Sequence, residues 1–135
     1  MCLITEKMKF KADKDIRTWK AVLISDDSSV WRGILVKNDK TFPFNEVLTN
    51  RERKGVVTSE WCMQVGKGFF HSSTDKNVPH MLKSDLKKLY GRMGMKSKIP
   101  EGFRMEIVEC VIPKGTDCYM DFNGNYASRK IKVIL

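Results

Sequence analysis

The chain has 135 residues, enough for one domain over 1–135, and a hydrophobic fraction of 41% that permits an ordinary core. Its 25 basic and 16 acidic residues leave a formal net charge of +9, which favours acidic partners: nucleic acid, an anionic membrane surface or an acidic protein. No stretch approaches the ~20 apolar residues of a membrane span and residues 1–11 hold no apolar leader core, so composition argues against a membrane protein and for a soluble, cytoplasmic one.

Leu3 and Ile4 fit a short strand or an N-terminal arm, and residues 10–14 a polar loop. Trp19-Lys20-Ala21-Val22-Leu23-Ile24 is a short apolar run rich in β-formers and reads as a central strand. Asp26-Asp27-Ser28-Ser29 makes a turn, and residues 30–36 a second strand with a bulge candidate at Gly33. Pro43 donates no ladder hydrogen bond, so Phe42-Pro43-Phe44 is excluded from a central strand, and its two rings are expected to pin a loop to the core. Residues 45–48 suit a short turn or strand, and residues 50–55 a charged, solvated loop. Residues 56–65 alternate as one strand, and Gly66-Lys67-Gly68 then turns the chain into Phe69-Phe70-His71-Ser72-Ser73.

The spacing predicts an amphipathic helix over about 79–93. Leu82, Leu86, Leu89 and Met93 make one stripe at i, i+4, i+7 and i+11, with Pro79 at its start and Gly91 and Gly94 at its end. Residues 103–107 alternate cleanly, and from Val108 the apolar phase shifts to Val108, Cys110 and Ile112. That shift predicts either a bulge near Val108 or a strand buried on both faces. The C-terminal stretch follows as a Pro113-Lys114-Gly115 turn, a short strand, a turn at Asn123-Gly124 and a final strand from Tyr126 to Leu135. The expected class is α+β: a mostly antiparallel or mixed β-sheet with one main amphipathic helix before the last three strands.

Chemistry is sparser than architecture. The metal-ligand candidates are His71, His80, Cys2, Cys62, Cys110 and Cys118, but none stands at the close paired spacing that preorganises a zinc site, so no metal is expected. The thiols read as reduced. Cys62 and His71 flank the glycine turn, the one Cys/His arrangement to weigh for nucleophilic catalysis. No P-loop, dinucleotide glycine fingerprint or nucleophile elbow occurs, and no cofactor is implied. His71 with the Ser72 and Ser73 hydroxyls forms a candidate pocket at the edge of the sheet, although aromatics entering the core explain the Phe69-Phe70 run more simply. Arg51, Arg53, Lys54, Lys83, Lys87, Lys88 and Arg92 form a candidate basic patch; lysines snorkelling from the edges of a docked helix account for the last four more simply than phosphate contacts. Trp19-Lys20 and Trp31-Arg32 pair an aromatic with a cation, as stacking sites on nucleic acid do, although tryptophans in apolar runs are usually core.

Met1-Cys2-Leu3, Asp15-Ile16 leading to Trp19-Lys20-Ala21-Val22, Gly68-Phe69-Phe70-His71-Ser72, Glu109-Cys110-Val111-Ile112-Pro113-Lys114-Gly115-Thr116 and Tyr126-Ala127-Ser128-Arg129-Lys130-Ile131 occur in that order. Together they resemble a family of small uncharacterised proteins encoded by bacteria and their phages. The resemblance implies a phage or mobile-element association and no particular chemistry. More distantly, the order of elements is similar to the ADP-ribosyltransferase core, which implies a cleft near His71 with Lys20, His71, Ser72 and Tyr126 as its candidate pocket residues. In that core the last strand supplies a catalytic glutamate and the early strand an Arg or His. The matching segment here, residues 127–131, holds no acid, and Lys20 stands at the early strand. Three functions follow as expectations: non-catalytic binding of a protein or anionic partner, an ADP-ribosyltransferase-like enzyme or nucleotide binder, and nucleic-acid binding through the basic surface.

Overall fold

The fold is described from a computed structural model over residues 3–5, 10–33, 41–50, 56–58, 63–65, 69–77, 101–120 and 124–135. Thirteen strands occur among these residues. The first three are β1 (Leu3–Thr5), β2 (Phe10–Lys11) and β3 (Ile16–Ser25), and the next three are β4 (Val30–Arg32), β5 (Phe42–Pro43) and β6 (Val47–Thr49). Then come β7 (Val56–Thr58), β8 (Met63–Val65) and β9 (Phe70–Ser73). The last four are β10 (Phe103–Ile112), β11 (Asp117–Met120), β12 (Asn125–Ser128) and β13 (Lys130–Ile134). A three-stranded sheet has the order β1-β8-β7, and a ten-stranded sheet runs β2-β11-β12-β9-β3-β10-β13-β6, with β4 on β3 and β5 on β4.

Every strand pairing among the described residues is antiparallel, and no helix lies among them. This corrects the α+β expectation to an antiparallel β fold. The helix expected over 79–93 rested on a single apolar stripe and lies outside the described residues. Elsewhere the error was to undercount strands. Residues 56–65, expected as one strand, contain two that pair with each other, Val56 with Val65 and Thr58 with Met63. Residues 126–135, also expected as one, divide at Arg129. β12 joins β9 and β11, whereas β13 joins β10 and β6. Alternation reports a strand but not the crossover that moves the next strand to the far side of a sheet.

The centre of the main sheet is the pair β3–β10, in register from Phe103 opposite Ser25 to Ile112 opposite Ile16 without a slip. The apolar phase shift at Val108 is therefore not a bulge. Met105 is buried on one face, and Val108, Cys110 and Ile112 on the other, so β10 is covered from different sides along its length. Most of the core lies on that second face. Val22, Ile24, Trp31, Phe70, Val108, Cys110, Ile131 and Val133 form one cluster there, with Phe42, Phe44 and Leu48 packed against it. Fully burying each large apolar side chain contributes roughly 1.5–3 kcal/mol. A second cluster on the same face gathers Ala12, Ile112 and Cys118 with Phe10, Ile16 and Tyr126.

Pro43 behaves as its missing N–H requires: β5 pairs only with the short β4. Phe42 lies 4.8 Å from Trp31, ring centre to ring centre, and the Trp31 indole N–H donates to the Pro43 carbonyl at 3.2 Å, so the loop is held to the core. No helix among the described residues is long and apolar enough to cross a membrane.

Candidate functional site

The site arises where the main sheet branches. β10 runs along one edge of β3 for the full strand. The other edge is shared. β9 meets β3 at one register pair, Trp19 opposite Ser73, and β4 takes the edge at Leu23 and Ile24. Between these points no register pair occupies this edge of β3, which leaves a fork in the ladder.

Lys20 stands in that fork. Its Nζ donates a hydrogen bond of 2.8 Å to the carbonyl oxygen of His71, so a side chain reaches a β9 backbone acceptor. Strand alternation fixes which face each neighbour takes. Thr18 is two residues from Lys20 on the same face. Tyr126 is opposite Ser72 in the β12–β9 register and shares its face. Ser72 sits between Phe70, which belongs to the main core cluster, and Tyr126, which belongs to the second, so it also lies on the core-facing side. Lys20, Thr18, Ser72 and Tyr126 thus make a polar seam between two apolar clusters.

Two members of the seam are unsatisfied. The hydroxyls of Thr18 and Ser72 are buried, with the residues 0% and 7% exposed, and neither has a hydrogen-bond partner. A buried hydroxyl without a partner costs about 1–3 kcal/mol, so each is an explicit departure from how interiors are filled. Burial pushes the Lys20 ammonium below the ordinary lysine range, with the nearby Cys110 opposing. Cys110 is pushed up to about 12, chiefly by burial and against the pull of Lys20. Burial also raises Tyr126, with Cys118 and Asp13 adding to it. Cys110 and Cys118 are buried free thiols. With their pKa values raised they are weak nucleophiles.

The expected pocket residues are therefore partly brought together. Lys20, Ser72 and Tyr126 share the seam. His71 contributes its carbonyl oxygen, while its side chain points to the opposite face with Ala127, its register partner. Thr18 escaped the sequence reading, although alternation from Lys20 was the signal that could have found it. Arg51, Arg53, Lys54, Lys83, Lys87, Lys88 and Arg92 lie outside the described residues, as do Cys2, Cys62 and His80. Among the described residues no three His, Cys, Asp or Glu side chains gather to hold a metal ion. Comparison with protein-family models, with curated proteins and with solved structures gave no match.

Proposed function

We propose that the chain is a binding domain whose fork takes a small anionic ligand, with Lys20 supplying the charge and Thr18 and Ser72 the hydrogen bonds. The observation that carries this reading is the pair of buried, unpartnered hydroxyls flanking a half-buried ammonium. An anion with several acceptor oxygens would satisfy both hydroxyls and offset the cost of burying the cation. Binding without turnover is favoured over catalysis on two grounds. The segment at which the resemblance to ADP-ribosyltransferases would place a carboxylate, residues 127–131, holds none. The neighbouring thiols are held as thiols. The phage-associated family resemblance is compatible with a binding role.

Titration calorimetry with orthophosphate, pyrophosphate and AMP tests the reading. At least one of these should bind the native chain with a saturable heat, and Ser72→Ala and Thr18→Val should each weaken that binding. Absence of binding by all three, or binding unaffected by either substitution, would refute it.

A further inference from the structure

The opposite face of the main sheet carries a different arrangement, centred on Trp19. The side chain of Trp19 is half-buried, and two cations lie against its ring. The Arg17 guanidinium is 4.9 Å from the ring centre and the Lys76 ammonium 4.6 Å. The two are held very differently. The Arg17 Nε lies 2.6 Å from Glu109 Oε1, which fixes the guanidinium. Lys76 is exposed and has no carboxylate partner among the described residues. Asp75 beside it is turned to its own loop, its Oδ1 accepting from the Asn77 N–H at 2.9 Å.

Register extends the charge. Arg17 is opposite Val111, and Val111 is opposite Lys132, so Arg17 and Lys132 stand in one row on this face. Strands in a sheet are about 4.8 Å apart, which sets the two residues roughly 10 Å from each other across it. Lys130 lies two residues from Lys132 on the same face, and neither has a carboxylate partner among the described residues. The result is a half-exposed indole amid cations of which one is neutralised. Like charges gathered on one patch repel unless an anion completes it.

We infer that this face binds single-stranded nucleic acid, with Trp19 as the stacking platform and Lys76, Arg17, Lys132 and Lys130 along the phosphates. The indole decides the partner's chemistry: an acidic peptide would need only the cations, whereas a base uses the ring as well. Lys76 is the cation that yields. A base takes its place over the ring, and its ammonium turns to a phosphate, while Glu109 keeps Arg17 where it is. This surface is separate from the fork and does not depend on the ligand proposed there.

The test is an anisotropy titration of a labelled oligothymidylate over a series of salt concentrations, with the same-sequence duplex and polyglutamate as competitors. The native chain should bind the single strand with a log–log salt slope of about −2 to −3, as three to four phosphate contacts require. Trp19→Leu should weaken binding about tenfold with the slope kept, since stacking is not ionic. Lys76→Ala and Lys132→Ala should each flatten the slope by about 0.7. Lys76→Glu, an exposed change that leaves the core intact, should weaken binding at least as much as Trp19→Leu and guards against a folding defect in that variant. The inference is overturned by no salt-dependent binding, by duplex or polyglutamate competing as well as the single strand, or by Lys76→Glu binding like the native chain.

Discussion

Trp19 and Ser73 form the one register pair that joins β3 to β9, and next to it the Lys20 ammonium reaches across the gap to the His71 carbonyl. The branch thus places a half-buried cation where a ladder would ordinarily run. That placement has a consequence for pH. Burial sets the folded pKa of Lys20 below its unfolded value. Below both values the amine is charged in both states, and the fold bears the full cost of burying it. As pH rises through the folded value, the native amine sheds its proton while the unfolded one keeps it up to about 10.4, so stability rises over that window. The stability deficit of the native chain relative to Lys20→Met should shrink as pH rises toward about 10, by at most about 1.4 kcal/mol per pH unit. Urea denaturation of both proteins measures the gap, and a constant gap would contradict the assignment.

The cysteines act in the opposite sense. Burial raises Cys110 to about 12 and Cys118 to about 11. Their contribution to stability is complete below the unfolded thiol value near 8.5 and is lost as pH climbs toward the folded values. In a Cys2→Ser/Cys62→Ser background, both thiols should resist an aromatic disulfide reagent at pH 8 in the native protein and react fully in denaturant. Labelling of either in the native state at the rate of a free thiol would show it to be accessible.

Three glycines with positive φ separate two physical effects. Gly102, Gly115 and Gly124 have φ of 84°, 84° and 78°. A Cβ at Gly102 or Gly115 would meet nothing, so alanine there incurs only the left-handed penalty, about 1–2 kcal/mol. A Cβ at Gly124 would strike the Thr74 hydroxyl, whose residue also bonds the Gly124 carbonyl through its N–H at 3.0 Å and its Oγ1 at 3.1 Å. Gly124→Ala should therefore be the most destabilising of the three, by upwards of about 2 kcal/mol, in a thermal-melt series. Equal losses at all three positions would show that Thr74 rotates away without consequence.

How far the sequence announced this molecule depends on the range of each interaction. Local signals carried well. The apolar run at residues 19–24 is the centre of β3, and the Phe42-Pro43-Phe44 rings do fasten a loop. Ser72 was legible as a hydroxyl in the run after the glycine turn, and Lys20 and Tyr126 only through the resemblance to the ADP-ribosyltransferase core. The branch was not legible, because it depends on which strand occupies each part of one β3 edge. Nor was the role of His71, whose part in the seam is its backbone carbonyl, a group every residue has. Thr18 escaped because it stands just before the apolar run at residues 19–24, whereas β3 begins at Ile16 and buries its hydroxyl unpaired.

The claim that the fork is built for a ligand is tested most directly by Thr18→Val combined with Ser72→Ala. If the hydroxyls await a ligand, replacing them by apolar groups removes an unmet desolvation cost. The unliganded double variant should then be as stable as the native chain or more so, by up to about 2 kcal/mol. Its stability should no longer respond to pyrophosphate, which should stabilise the native chain. The measurement is urea denaturation of both proteins with and without pyrophosphate. A double variant that is clearly less stable without ligand, or that gains as much from pyrophosphate as the native chain does, would contradict the account.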